Sequence, residues 1–390
     1  MLLTACSSST GTHRATGSSG TSSAGNSASA PAGTPIKVGD ICSCTGPEAS
    51  TVGQTTPVMQ AWAKWVNSHG GIAGHPVSLE VKDDAYNPST SVSDVHTMVS
   101  QDHVIALFDN SAVDETWAAF VKQQGIPVFG GQTSDQGYSN PDFFPPGATY
   151  NHFTDADALA AKKVGAKKMA DLYCAEVAVC AESSRSLKKS LTKLGIELSF
   201  TTAVPFAAPN YTAACLAAQR SGATVMTIGT ASSTLEQIVS DCTKQGYTPT
   251  QLNGEGGAAI AWLKIPALEN NVDVQPDLPW FVRNAATKPM YEALAAYAPQ
   301  VLSSPNFGEV AIESWTDGAE LQAAGASLGS SPSSAALING LYKFHGETLG
   351  GLAPPLTFAR STPFDNGCFF FMGIKHQKFV TPYGVSPICV

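Results

Sequence analysis

An α/β fold with largely parallel sheets, divided into two domains, follows from three observations. The chain has 390 residues, a length that suggests two domains rather than one or four. Hydrophobic residues make up 43% and charged residues 14%, ample apolar material for packed cores. From Ile36 onward, short β-rich runs alternate with amphipathic helical stretches. That alternation is the pattern of βαβ units whose sheets carry helices on both faces.

The first 34 residues read as a tether. Leu3-Thr4-Ala5-Cys6 fits a bacterial lipobox and runs into a Ser/Thr/Gly/Ala-rich stretch ending near Gly33. Such a segment cannot bury enough apolar surface to fold, and its reach is about 25–30 Å. Lipidation of Cys6 is therefore expected, in a longer precursor, because a signal peptide needs a basic and an apolar region ahead of cleavage. The expected location is extracytoplasmic, lipid-anchored to the membrane. No stretch approaches the roughly 20 apolar residues that a spanning helix needs.

Strands are expected at Ile36–Ile41, Val77–Lys82, Val104–Phe108, Ile126–Phe129, Met169–Tyr173, Leu198–Val204, Thr224–Ile228 and Trp280–Val282. The clearest helix is Pro57–Asn67, where Val58, Trp62, Trp65 and Val66 share one face, with Thr56 as its N-cap. A helical run is also expected from Ser111 through Trp117. At the C-terminus, Cys368–Ile374 and Gln377–Val380 read as a hairpin.

The net charge of −9 and the absence of a Lys/Arg run argue against a nucleic-acid partner. Nine cysteines without a CxxC pair fit disulfides in an oxidising compartment once Cys6 is set apart. The local pairings Cys174–Cys180, Cys215–Cys242 and Cys368–Cys389 are plausible, whereas Cys42–Cys44 would close a very tight ring.

Several motifs read as structure rather than chemistry. Gly325–Gly329 satisfies GxSxG, but a helical stretch precedes it where a nucleophile elbow needs a strand. The glycine-rich run from Gly254 to Ala259 loosely fits a dinucleotide fingerprint, yet it lies deep in the chain, with an acid where a pyrophosphate would approach. His96 and His103 have no ligand-spaced companion, so no metal is expected. Asp83-Asp84 closes a strand and reads as a loop cap. No cofactor is implied.

One ordered series stands out. It comprises Thr45-Gly46-Pro47 after the first strand, the stretch from Trp65 to Gly74 containing NxxGGIxG, and Val77–Val81 leading to Asp83-Asp84. It continues through Val104–Ser111, Gly125–Val128 and Gly254–Gly256 to Gly350–Phe358. The series resembles the type I periplasmic solute-binding proteins of ABC importers, the leucine/isoleucine/valine-binding family. The resemblance implies two doubly wound, Rossmann-like lobes joined by three crossovers. Lobe 1 would be 35–153 plus 280–354, and lobe 2 would be 154–279 plus 355–390.

Function follows as an expectation: a receptor that holds a small polar solute between the lobes and delivers it to ABC permease subunits. In open α/β sheets ligands sit beyond the carboxyl ends of strands, where helix N-termini suit an anion. By resemblance, Ser111, Thr133 and Ser134 match hydroxyls that grip an α-carboxylate. Thr230 and Ser232 approach from the second lobe, and Glu255 matches the carboxylate that pairs with an ammonium group. Thr45, Cys174 and Cys180, and Gly130-Gly131-Gln132 depart from the family pattern. The solute is thus left open among amino acids, amide or urea-like solutes and aromatic acids. A ligand-sensing ectodomain of the same fold is the alternative. An extracytoplasmic enzyme is a weaker one, because no nucleophile–base pair is evident.

Overall fold

The computed structural model describes residues 30–131, 139–176, 178–253 and 257–390. Cys6, Thr133, Ser134 and Glu255 therefore lie outside the described residues.

The first sheet is wholly parallel, in the order β2-β1-β3-β4-β5. Its strands are β1 (Ile36–Cys42), β2 (Val77–Asp83), β3 (Ala106–Asn110), β4 (Val128–Gly130) and β5 (Phe143–Phe144). Alternation along each strand sends side chains to both faces, and both faces are covered. Ile36, Val38, Ala106 and Phe108 pack with Val58, Trp62 and Val66 of the helix Thr55–Ser68. Trp62 meets Phe108 edge to face at 5.4 Å. On the opposite face Ile41, Leu107 and Val128 pack with Val95, Met98 and Val121, from the helices Pro88–Ser100 and Ala118–Gln124. Asn87 caps the first of these by accepting from Ser89 N and Thr90 N at 3.0 and 3.1 Å, and Pro88 follows at the first position.

The second sheet runs β12-β11-β10-β9-β8-β6-β7. Strands β6 (Lys168–Cys174), β7 (Glu197–Val204), β8 (Val225–Gly229), β9 (Thr250–Asn253) and β10 (Val272–Gln275) are parallel. The hairpin β11 (Cys368–Lys375) and β12 (Lys378–Val380) adds antiparallel strands at one edge, and β13 (Ile388–Cys389) pairs with β11. One face packs Leu172, Met226 and Ile228 against Leu235 and Ile238. The other packs Met169, Val225 and Leu252 against Ala156, Ala160, Leu187 and Leu191. Two α/β lobes with doubly wound sheets are the result.

The chain passes between the sheets after β5, after β10 and again before β11. Two of these passages are bonded side by side, with Thr149 N donating to Asn366 O at 2.8 Å and Asn366 N to Thr149 Oγ1 at 3.2 Å. Between the last two, the helices Lys288–Tyr297 and Glu309–Ala324 return to pack on the helix Thr55–Ser68.

Several local expectations change. Trp280–Val282 is a turn, with Trp280 buried against Phe281 and Phe379. The strand in that region is Val272–Gln275, and its alternating polar residues Asp273 and Gln275 hid it. The helix expected from Pro57 begins at Thr55, and Thr56 spends its hydroxyl near the Cys44 sulfur at 3.3 Å instead of capping. From Ser111 to Trp117 there is only a 3-10 turn, Asp114–Thr116. Disulfides join Cys174–Cys180, Cys215–Cys242 and Cys368–Cys389, and Cys42–Cys44 is bonded as well.

Candidate ligand-binding site

A cavity of about 190 Å³ opens between the two sheets, more than the roughly 150 Å³ that accepts benzene. It sits where strand ends converge: Asn110 ends β3, Gly130 ends β4, Cys174 ends β6 and Gly229 ends β8, and all four line it. Positive-φ glycines shape the β4 end. At Gly131 (φ 73°) a Cβ would lie 3.0 Å from Asp109 Oδ2, so only glycine fits there without displacing that carboxyl.

Phe153, Leu187, Val310, Tyr173, Tyr86 and Phe206 supply an apolar wall. Set into it are six acids, Glu48, Asp109, Asp157, Asp171, Glu313 and Asp317, while no Lys, Arg or His is among the described lining residues. Burial dominates their electrostatics. It pushes Asp171 up to about 6 and Glu48 to about 7, and it drives Asp109, Asp157 and Asp317 well above the ordinary carboxylate range. Neighbouring acids add to this: Asp114 beside Asp109, Asp171 beside Asp157, and Asp277 beside Asp317. Among the described residues no cluster of His, Cys, Asp or Glu could hold a metal ion.

The cleft mouth is bridged. On the first lobe, the short helix Ala49–Val52 carries Ser50 and Thr51. On the second, the helix Ser232–Lys244 points its N-terminus at them. Ser232 N donates to Thr51 Oγ1 at 3.0 Å and Ser233 N to Ser50 Oγ at 3.2 Å. Ser50 Oγ in turn donates to Ser233 Oγ at 3.1 Å. Tyr86 and Phe206 meet edge to face at 6.0 Å across the same gap. The helix N-terminus that could suit an anion is thus occupied by hydroxyls of the opposite lobe.

Of the residues singled out from the sequence, Thr230 lines the cavity. Ser111 is buried and spends its hydroxyl on Asp84 Oδ2 at 2.5 Å. Ser232 Oγ donates to Gly257 O at 3.2 Å and accepts from Trp262 Nε1 at 3.3 Å. Neither is among the lining residues. Asp83 and Asp84 cap the loop after β2, accepting from Ala85 N and Tyr86 N at 3.0 and 2.8 Å. Sequence reasoning missed the buried acids. Asp171 did carry a signal, a carboxylate inside an apolar strand, while Asp157 and Asp317 sit on helices where an acid ordinarily faces solvent.

Comparison with known proteins gives the family and the fold. The family described as periplasmic binding protein matches residues 35–378. No curated protein matches the chain. Among solved structures, a branched-chain amino acid ABC transporter protein from Thermus thermophilus with bound valine superposes with a TM-score of 0.80 at 13% identity, covering 92% of this chain and 98% of that one. A fatty acid ABC transporter substrate-binding protein from Thermomonospora curvata gives 0.76 at 16%, covering 94% and 93%. An ABC transporter substrate-binding protein from Aeropyrum pernix gives 0.76 at 18%, covering 90% and 97%. At such identities the structures show a shared fold, and together with the family match they lead to one assignment: the chain belongs to the periplasmic binding protein family and has its type I fold.

Proposed function

We propose that the chain is the extracytoplasmic solute receptor of an ABC importer, anchored through Cys6 and catching its solute by closure of the two lobes. The observation that carries this reading is the cavity at the carboxyl ends of strands from both sheets, bridged at its mouth by Ser50, Thr51, Ser232 and Ser233. A solute that contacts both lobes favours the bridged arrangement by its differential affinity for that state. Permease subunits would then read the closed surface.

Thr230 contributes from the cavity wall. Thr133, Ser134 and Glu255 are proposed as ligand contacts on their sequence match to the family. The order of the elements and the local disulfides suit an oxidising, extracytoplasmic setting.

A thermal-shift screen of residues 35–390 tests the reading, using amino acids, amides, ureas, amines, aromatic acids and fatty acids. A ligand that binds only the native state raises Tm by mass action. At least one class should raise Tm without being turned over. Turnover of the bound solute, or no shift across every class, would refute the receptor role.

A further inference from the structure

We infer, building on the solute-receptor reading, that the cavity takes a small organic amine, with an apolar body and N–H donors facing carboxyls of both lobes, rather than a carboxylate-bearing solute.

Two of the acids lining the cavity each have one carboxyl oxygen without a hydrogen-bond partner. Asp157, on the helix Tyr150–Lys163, is 6% exposed, and its Oδ1 is buried without a hydrogen-bond partner. Asp317, on the helix Glu309–Ala324, is 2% exposed, and its Oδ1 is likewise unpartnered. The first helix covers the second sheet and the other covers the first, so the two acids approach from opposite lobes. An unpartnered buried polar atom costs free energy unless something supplies the missing bond. An ionised carboxyl can only accept, so toward that form the partner donates.

The hydroxyls argue the same way. Groups able to grip a carboxylate are largely engaged within the protein. Ser43 Oγ donates to Asp84 Oδ1 at 2.8 Å, Ser184 Oγ pairs with Thr201 Oγ1 at 2.9 Å, and Thr51 Oγ1 is spent on Ser232 N. These three hydroxyls are committed, Thr154 Oγ1 has no partner, and Asp157 and Asp317 each keep one open acceptor oxygen.

Charge completes the case. A carboxylate entering this site would find six acids and, among the described lining residues, no cationic side chain to pair with. An ammonium would pair with Asp157 and Asp171 on one side and with Asp109 and Asp317 on the other. Burial raises Asp157 and Asp317 well above the ordinary carboxylate range, because a buried negative charge is costly without a partner, and a bound cation offsets that cost. Between the two ends, Phe153, Leu187 and Val310 suit an alkyl or aryl body.

The test is calorimetric titration of the folded chain with 1,4-diaminobutane, 1,6-diaminohexane and 2-phenylethylamine, alongside valine and hexanoate. At least one amine should bind more tightly than valine and hexanoate. Asp157→Asn and Asp317→Asn should each weaken that amine at least 10-fold, because a charge-assisted bond is lost in each. Thermal melts of both variants establish that they fold, and Asp171→Asn provides a third reading should either fail to. Tighter binding of valine or hexanoate overturns the amine class while leaving the receptor reading intact. Amine affinity unchanged in the folded variants, or no amine binding at all, also overturns it.

Discussion

Replacing Asp40 by asparagine probes the buried acids one at a time. Asp40 lies on β1, fully buried, with Oδ1 accepting from Asn110 Nδ2 at 3.0 Å and Oδ2 without a partner. Burial raises its pKa from 3.8 to about 7, against a smaller lowering by the Asn110 bond. The folded state therefore holds this proton more tightly than the unfolded chain does. Stability from the group is fully present below about pH 4 and is lost as pH rises through about 7. At 1.36 kcal/mol per pH unit, a rise from 3.8 to about 7 corresponds to about 4 kcal/mol lost by pH 8. Asparagine keeps the acceptor for Asn110 and removes the titration. Urea denaturation at pH 5, 6, 7 and 8 should show Asp40→Asn gaining on the wild type as pH rises, by about 2.7 kcal/mol across this window, the rest of the loss lying below pH 5. Parallel stability curves for the two proteins, offset by a constant, would show that Asp40 does not titrate in this way and would refute the reasoning.

Other outcomes follow from single contacts. Wild-type stability should fall between pH 5 and 8, because Glu309, raised to about 7, and Asp171, raised to about 6, titrate in the same direction; a profile that rises over this range would contradict it. Gly340→Ala should cost about 1–3 kcal/mol at every pH, since its Cβ would fall 1.9 Å from Ala324 O on the neighbouring helix. A loss below about 0.5 kcal/mol in urea would show that the two helices separate easily. Removing the Cys215–Cys242 bond by a double alanine substitution should cost about 3.5 kcal/mol from the 27-residue separation, read as a lower urea midpoint. Ser50→Ala removes the acceptor for Ser233 N without touching the cavity lining. It should weaken ligand about 2- to 10-fold, the equivalent of one net hydrogen bond, and an unchanged Kd would mean that the bridge is not part of closure.

Seven of the eight strands expected from the sequence are present, because each is a local apolar run bounded by turn residues, and such a signal needs no distant partner. The same holds for the three local disulfides, which close short separations, and for the caps at Asp83 and Asp84, whose partners lie within two residues. Where a strand carried alternating polar residues, as at Val272–Gln275, periodicity alone failed, since what buries Asp273 and Gln275 is the sheet and helices around them. The Cys42–Cys44 bond reads from the sequence as a very tight ring for a similar reason: ring size is local, but the backbone path at the end of β1 is set by its pairing with β2 and β3. The order of the elements, the two lobes and the family were thus written along the chain. The facing of Asp157 and Asp317 across one cavity, and the bridge from Ser50 and Thr51 to Ser232 and Ser233, were decided only by tertiary structure. An acid on a helix looks the same in sequence whether it meets water or a cavity, and only the packing of the opposite lobe removes its solvent.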